Sequence, residues 1–246
     1  MTELTGKRAL VTGASRGIGA AIALALAEKG ADVAITYERS AERAAEVVRA
    51  IEAKGRRGFA IQADSADAEA VKRSVDEAAK SLGGLDILVN NAGIARGGPV
   101  AEASLADIDA LLAVNIRSVV LASQAAIAHL PEGGRIVSIG SNLAERVAFG
   151  GVTIYSMSKS ALLSFTRGLA RELGPLGITV NLVHPGSTDT DMNPADGETA
   201  DGQRAMAALG RFGKPEDVAA AVAFLAGPGA RQITGTGITV DGGANA

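Results

Sequence analysis

Residues 8–19 read RALVTGASRGIG, and this segment joins two kinds of secondary structure. The apolar residues of 8–12 favour a strand, and the Ala-rich residues that begin at Gly17 favour a helix. The glycines between them permit a tight turn and let the backbone approach a phosphate at the positive end of the helix. Their spacing, G-x-x-x-G-x-G, differs from the common dinucleotide fingerprint, so an ordinary strand-to-helix turn is a second interpretation.

The same alternation of short apolar segments with longer Ala-rich segments continues along the chain. The predicted strands are residues 8–12, 32–37, 58–62, 85–90, 134–139, 178–183 and 238–240, and the predicted helices are residues 17–29, 41–54, 67–81, 105–129, 154–173 and 215–225. The strands are continuous apolar runs, as in parallel sheets covered on both faces. The sequence therefore predicts an α/β fold, a single doubly wound (Rossmann) parallel sheet of about seven strands with helices on both faces.

The composition indicates one domain over residues 1–246 and excludes several classes of protein. The 24 Lys and Arg residues against 27 Asp and Glu offer no basic surface, so no nucleic-acid partner is expected. The chain has no cysteine, hence no disulfide or thiolate nucleophile, and its two histidines are far apart, so no metal is expected. We expect a cytoplasmic protein without membrane contact, because no export signal is visible and every apolar run is interrupted before the roughly 18 residues of a membrane span.

Residues 187–214, hereafter the 187–214 segment, interrupt this alternation with Asp, Thr, Gly, Pro and Asn. These residues favour turns, and a polar loop of this length is uncommon in a compact domain unless it is functional. The apolar residues in it that would pack over an apolar substrate are Met192, Met206, Ala207, Ala208 and Leu209. We expect a substrate lid that is mobile until ligands bind. The alternative is an ordered, helix-containing insertion used for subunit packing.

Tyr155 and Lys159 are four residues apart in a predicted helix, so their side chains share one face. A free tyrosine titrates near pH 10, and a nearby cation makes proton transfer at neutral pH easier because it stabilises the phenolate. Ser141 follows the strand at 134–139, in a loop that leads towards Tyr155, where its hydroxyl would polarise a carbonyl group. Taken alone, the Tyr155 and Lys159 pair favours a solvated helix face over a catalytic pair.

Together these motifs resemble the pattern of the short-chain dehydrogenases and reductases, which is T-G-x-x-x-G-x-G, then N-A-G, then Ser and Y-x-x-x-K. The chain carries each motif in this order, and the resemblance extends over essentially its whole length. Within the family it is most similar to the 3-oxoacyl-acyl-carrier-protein reductases. The resemblance implies a homotetramer formed through the two long helices at 105–129 and 154–173.

The resemblance implies a role for each of four catalytic residues. Tyr155 donates a proton to the substrate, and Lys159 lowers the pKa of Tyr155 and holds the nicotinamide ribose. Ser141 donates a hydrogen bond to the carbonyl oxygen, and Asn115 supports a water relay to Lys159. The cofactor-binding residues that the resemblance implies are Gly13, Ser15, Arg16, Gly17, Ile18, Gly19, Tyr37, Glu38, Arg39, Asp64, Ser65, Asn91, Ala92, Gly93, Tyr155, Lys159, Pro185, Gly186, Thr188 and Thr190.

The choice between NAD and NADP depends on the residues after the second predicted strand. Glu38 lies about 20 residues beyond the loop, where an acidic residue would bind the ribose hydroxyls of NAD. In the resembled family, however, the NAD-selecting aspartate aligns with Tyr37. Arg16 and Arg39 suit a 2′-phosphate, which carries two charges, so NADP (NADPH) is favoured.

The expected function is NADP(H)-dependent reduction of a ketone or 3-oxoacyl group to a secondary alcohol. The alternatives are an NAD-dependent alcohol or sugar dehydrogenase and a non-catalytic cofactor-sensing protein. His184, where the family often has a smaller residue, is interpreted as a packed residue at a strand end. The loosely spaced carboxylates of the 187–214 segment are interpreted as solvated, namely Asp189, Asp191, Asp196 and Asp201.

Overall fold

The computed structural model describes residues 3–246. Its strands are β1 (Arg8–Val11), β2 (Asp32–Tyr37), β3 (Gly58–Gln62), β4 (Ile87–Asn90), β5 (Arg135–Ile139), β6 (Thr179–Pro185) and β7 (Gly237–Val240). Its helices are α1 (Gly17–Glu28), α2 (Ala41–Glu52), α3 (Ala68–Leu82), α4 (Leu105–Leu112), α5 (Ser118–Ile127), α6 (Thr153–Leu173), α7 (Ala200–Met206) and α8 (Pro215–Ala226). Every predicted strand is present, with boundaries that differ by a residue or two.

The seven strands form one parallel sheet in the order β3-β2-β1-β4-β5-β6-β7, which confirms the predicted fold class. β1 lies in the middle and pairs with β2 on one side and β4 on the other. The chain therefore changes direction across the sheet between β3 and β4. In doubly wound sheets ligands bind at this point, outside the carboxyl ends of the strands.

Both faces of the sheet are apolar, which explains the continuous apolar runs in the sequence. Successive residues of a strand point to opposite faces. In β1, Leu10 packs into a buried cluster with α3, α5 and α6, whereas Val11 packs into a second cluster with α1, α2 and α8. The helices thus cover both faces and leave the carboxyl edge of the sheet open.

The helix predicted at residues 105–129 is interrupted by a wider turn. α4 and α5 are joined by a π-helical turn at Ala113–Arg117, and α5 ends at Ile127, before His129. Such turns are rare and often lie at functional sites. Leu105–Ile127 has a mean hydropathy of 1.6 and is long enough to cross a membrane, but in the fold its α5 part packs against α3.

The 187–214 segment contains one short helix, α7, which the sequence analysis did not predict. Hydrogen bonds between polar side chains of the segment hold this helix in place. Asn193 Nδ2 donates to Gln203 Oε1 at 2.8 Å, and Gln203 Nε2 donates back to Asn193 Oδ1 at 2.9 Å. The segment therefore has its own hydrogen-bonded structure, and its mobility stays a prediction.

Candidate active site

A cleft of about 1110 Å³ opens at the carboxyl ends of the central strands. It is lined by the loops that follow β1, β2, β3, β4, β5 and β6 and by part of α6. The structure brings all the sequence-predicted cofactor and catalytic residues to this cleft except Asn115. Asn115 is fully buried behind the cleft wall.

The glycine-rich loop after β1 has no room for side chains at two positions. A Cβ added at Gly13 would lie 2.9 Å from the Ala92 Cα, and one added at Gly19 would lie 2.8 Å from the carbonyl oxygen of Gly13. The Thr12 hydroxyl oxygen accepts hydrogen bonds from the Asn91 and Ala92 N–H groups, both at 3.0 Å. These bonds join the N-A-G motif to the glycine-rich loop, so the two motifs form one continuous wall.

The first turn of α1 presents free backbone donors to the cleft. The first N–H groups of any helix lack partners within the helix. α1 has no side-chain cap and no acidic residue in its first turn, and its residues Gly17, Ile18 and Gly19 line the cleft. Free donors at the positive end of a helix bind anions, so this part of the cleft fits the pyrophosphate of a dinucleotide.

Glu38 and Arg39 follow β2, which ends at Tyr37 as predicted. Arg39 Nε lies 2.7 Å from Glu38 Oε1, so the two residues invoked for opposite cofactor preferences pair with each other. The Arg39 side chain is 88% exposed and the Glu38 side chain is 49% exposed. An ion pair this exposed contributes little to stability. The pair therefore presents no barrier to a ligand that engages either residue.

Asp191 is 51% exposed, as the sequence analysis expected, and is in addition an ion-pair partner. Its Oδ2 accepts from Arg43 Nη1 at 2.5 Å and from Arg16 Nη1 at 3.0 Å. The hydrogen bond from Arg43, followed by that from Arg16, holds the pKa of Asp191 below its usual range. Loose spacing along the chain did not reveal this contact, because Arg16 and Arg43 are distant in sequence from Asp191.

Arg43 is a residue of this site that the sequence reasoning missed. It lies in the first turn of α2, directly after the loop that carries Glu38 and Arg39. Arg43 could have been found from the predicted start of that helix. A helix that follows a strand of a doubly wound sheet begins at the ligand-binding edge, so residues in its first turn lie near the ligand. Arg16 and Arg39 line the cleft, and Arg43 pairs with Asp191, which also lines it.

Tyr155 and Lys159 lie one turn apart on α6, as predicted. Lys159 is buried, and its Nζ donates to the Ile139 carbonyl oxygen at 2.9 Å. Burial disfavours the ammonium ion and lowers the pKa of Lys159 to about 8. Burial also raises the pKa of Tyr155 above its ordinary value, although a hydrogen bond with the Ser141 side chain opposes that shift.

These pKa shifts bear on the role expected for Lys159. Burial is the largest cause of both shifts, and a lysine with a pKa of about 8 keeps its ammonium form at neutral pH, one helical turn from the phenol. Lowering of the Tyr155 pKa by Lys159 stays a prediction for the liganded protein.

Asn115 lies in the π-helical turn at Ala113–Arg117. Its Oδ1 accepts from Ile94 N–H, and its Nδ2 donates to the Ile94 carbonyl and to Ser158 Oγ, all at 3.0 Å. A Cβ added at Gly93 would lie 3.3 Å from Lys159 Nζ and 3.5 Å from Asn115 Oδ1. Asn115 thus fixes the chain after the N-A-G motif and lies across Gly93 from Lys159.

The loop after β5 holds Ser141. Ser141 begins a short 3-10 turn at Asn142–Ala144, and its Oγ accepts from Leu143 N–H at 3.2 Å. From α6, Ser156 Oγ donates to the Leu143 carbonyl at 2.6 Å. His184 is packed at the end of β6, as expected, and its Nδ1 also lies 2.9 Å from the Ser141 carbonyl oxygen.

Part of the cleft wall is apolar. Phe149, Met192 and Met206 line it and are 44%, 58% and 40% exposed. The apolar patch expected from the 187–214 segment is therefore only partly correct, because Leu209 is exposed but does not line the cleft and Ala207 is buried. Among residues 3–246, no group of three His, Asp or Glu side chains is placed to hold a metal ion.

The arrangement defines a class of protein. The glycine-rich loop and the Ser141, Tyr155 and Lys159 group line one cleft, at the edge of a sheet that binds nucleotides in many enzymes. Hydroxyl, phenol and ammonium groups in this cleft suit proton transfer to a bound carbonyl compound. The fold and the site are those of a dinucleotide-dependent oxidoreductase.

Comparison with known proteins identifies the family. A family model described as enoyl-(acyl carrier protein) reductase matches residues 13–245. The chain belongs to the short-chain dehydrogenase/reductase family.

Three relatives illustrate the range of this similarity. The crystal structure of a short chain dehydrogenase from Burkholderia cenocepacia J2315 in complex with NADP is 66% identical, with a TM-score of 0.98, and the match covers 99% of this chain and 100% of that one. The cyclic-di-GMP-binding biofilm dispersal mediator protein of Escherichia coli K12 is 46% identical over 98% of each chain. The 3-oxoacyl-[acyl-carrier-protein] reductase of Staphylococcus aureus is 42% identical over 96% of this chain and 97% of that one.

Proposed function

We propose that the protein is an NADP(H)-dependent reductase that converts a ketone or 3-oxoacyl group to a secondary alcohol, with Tyr155 as the proton donor. One observation carries the proposal: Ser141, Tyr155 and the buried Lys159, one helical turn from Tyr155, all line the cleft that also contains the glycine-rich loop.

NADP(H) is the proposed cofactor. The free donors of α1 would hold its pyrophosphate, and Arg16, Arg39 and Arg43 would bind the 2′-phosphate. The NADP complex of the 66% identical Burkholderia protein supports this choice. When bound, the nicotinamide supplies the hydride.

The residues of this chain manage the proton and the orientation of the substrate. Ser141 donates a hydrogen bond to the carbonyl oxygen, and Tyr155 gives its proton to that oxygen as the alcohol forms. Lys159, as an ammonium ion, stabilises the phenolate that remains and holds the ribose hydroxyls. Asn115 supports the water relay that returns a proton to this group and keeps Ile94 in place.

The test is loss of NADPH absorbance with a panel of neutral ketones and a 3-oxoacyl thioester. Tyr155→Phe removes only the hydroxyl, so we expect kcat to fall about a hundredfold or more while NADPH binding, measured by fluorescence, is unchanged. Near-normal turnover in Tyr155→Phe would contradict the role of the phenol. Absence of turnover in the wild type would contradict the function, and a higher kcat/KM with NADH would favour the NAD-dependent alternative.

We also propose that the 187–214 segment closes over substrate. It contacts both the arginines and the apolar part of the cleft wall, since Asp191 pairs with Arg16 and Arg43, and Met192 and Met206 line the cleft. Closure would exclude water from the hydroxyl groups of Ser141 and Tyr155. Hydrogen exchange with and without NADPH tests this, and equally strong protection in both states would support the ordered-insertion alternative instead.

A second candidate function is binding of cyclic di-GMP, because the 46% identical Escherichia coli relative is named for that property. Calorimetry with cyclic di-GMP, in the presence and absence of NADPH, tests it. Binding by the Tyr155→Phe variant without any turnover of ketones by the wild type would favour the non-catalytic, cofactor-sensing alternative.

We propose a homotetramer in the cytoplasm, formed through Leu105–Ile127 and α6. Large apolar side chains are exposed on these helices, among them Leu105, Val120 and Met157. Light scattering that gave the monomer mass of 24.7 kDa would contradict the tetramer.

A further inference from the structure

His184 lies at the carboxyl end of β6 and is completely buried, yet its ring reaches the catalytic loop. The last β5 and β6 partners in register are Ile139 and Val183, and Gly140 N–H donates to the Val183 carbonyl at 2.8 Å. One residue further along β6, it is the imidazole side chain of His184, and not its backbone, that contacts the loop after β5. Its Nδ1 lies 2.9 Å from the Ser141 carbonyl oxygen.

Chemistry fixes the tautomer of this ring. A carbonyl oxygen only accepts hydrogen bonds, so Nδ1 must carry the proton and donate it. Burial, the largest effect, lowers the pKa of His184 below its ordinary value, and the imidazole is neutral at pH 7. Nε2 is then a bare acceptor, and it has no hydrogen-bond partner among residues 3–246.

Two glycines form the slot that holds the ring. A Cβ added at Gly140 would lie 2.6 Å from Nδ1 of His184, and a Cβ added at Gly237 would lie 2.6 Å from Nε2. The ends of β5 and β7 therefore lack side chains at the points where the imidazole passes. This slot explains how the ring fits, but an apolar side chain would also fill space.

The unpartnered Nε2 shows that packing alone does not account for a histidine at this position. A buried acceptor without a partner costs about 1–3 kcal/mol, which an aliphatic side chain at this position would avoid. The compensating feature of His184 is the hydrogen bond from Nδ1 to Ser141. The Ser141 carbonyl oxygen also accepts from Ala144 N–H at 3.0 Å, so the two donors fix the peptide plane between them.

We propose that His184 is a positioning residue that holds the Ser141 backbone and thereby directs the Ser141 hydroxyl towards Tyr155. The Ser141 side chain lowers the pKa of Tyr155, and the direction of that side chain depends on how the Ser141 backbone is held. His184 touches neither the cleft nor the reacting atoms and acts through Ser141. The inference rests on the proposed function of Ser141 and Tyr155.

Two substitutions separate the hydrogen bond from packing. His184→Asn keeps a donor at the position of Nδ1, whereas His184→Leu fills the slot without a donor. For His184→Leu we expect a wild-type dissociation constant for NADPH and a kcat that falls about tenfold to a hundredfold, because small displacements of catalytic groups have effects of this size. For His184→Asn we expect a kcat within about threefold of the wild type.

Wild-type kcat in His184→Leu, or equal losses of kcat in both variants, would overturn the positioning role. Crystal structures of the two variants give a readout that does not depend on turnover. We expect the Ser141 hydroxyl to move away from Tyr155 in His184→Leu and to return in His184→Asn. An unmoved Ser141 in His184→Leu overturns the inference. A displaced Ser141 in a protein that turns over no ketone supports the inference and contradicts the proposed function.

Discussion

Replacing Lys159 by methionine should stabilise the protein at neutral pH while abolishing turnover. Lys159 is buried on α6, where its ammonium group has one hydrogen-bond acceptor, the Ile139 carbonyl. The methionine side chain is of similar length and carries no charge, so it removes the cost of burying an ion. Sites that are suited to chemistry are often locally unfavourable for stability.

The magnitude follows from the pKa of Lys159. Burial lowers this pKa from 10.5 to about 8, and each unit corresponds to about 1.4 kcal/mol, so burying the ammonium ion costs about 3 kcal/mol at pH 7. The lost hydrogen bond to Ile139 offsets about 1 kcal/mol of the gain, which leaves about 2 kcal/mol of net stabilisation. Between pH 8 and 10.5 the unfolded wild-type chain binds more protons than the folded one, so wild-type stability rises and the advantage of Lys159→Met disappears.

The assay is urea unfolding of the wild type and Lys159→Met at pH 7 and at pH 10.5. Lys72→Met, which removes an exposed lysine from α3, is the matched control and should give the same small difference at both pH values. The reasoning would be refuted if Lys159→Met were less stable than the wild type at pH 7. It would also be refuted if the difference in unfolding free energy did not change with pH.

Two further predictions concern residues whose contacts were not evident from the sequence. Asn115→Ala removes three hydrogen bonds and should lower stability by about 3 kcal/mol, or Tm by about 6–12 °C, and should also reduce kcat. Asn181→Ala, on β6, removes buried hydrogen bonds away from the cleft and should lower Tm without a loss of kcat, so equal losses of kcat in both would contradict the role of Asn115. Asp191→Asn should tighten NADPH binding severalfold in fluorescence titrations and leave NADH binding unchanged, because it frees Arg16 and Arg43 for the 2′-phosphate. A parallel change for both cofactors would show that Asp191 does not compete with that phosphate.

The parts of the fold that sequence predicts well are those set by local pattern. Leu10 and Val11 face opposite sides of the sheet, so an apolar run at this point signals a strand buried on both faces. The glycine-rich loop is similarly visible, because Gly13 and Gly19 are required by close contacts within the loop and with the N-A-G motif. Nearly all the residues that were predicted from the order of the motifs line one cleft in the structure.

The features that sequence did not predict depend on contacts between distant segments. Asp191 and Arg43 are brought together only by the folded chain, and nothing in the spacing of aspartates indicates an ion pair. Helix α7 is only seven residues long and includes Asp201 and Gly202, so its own propensity is not enough to predict it, and it is held by the paired amides of Asn193 and Gln203. The contact between His184 and Ser141 likewise requires the pairing of β5 with β6.

The π-helical turn at Ala113–Arg117 makes this helix intolerant of changes in length. A π turn holds one residue more than an α turn, so deleting a single residue there would restore a regular helix. This deletion would leave the two halves of the helix nearly in phase but would remove the wide turn that places Asn115 against Ile94. A single-residue deletion elsewhere in the helix would instead rotate one half against the other by about 100°, so that Ala122 and Ala126 would leave the buried face of the sheet. Functional descendants of this sequence should therefore accumulate substitutions in residues 105–127 but not insertions or deletions.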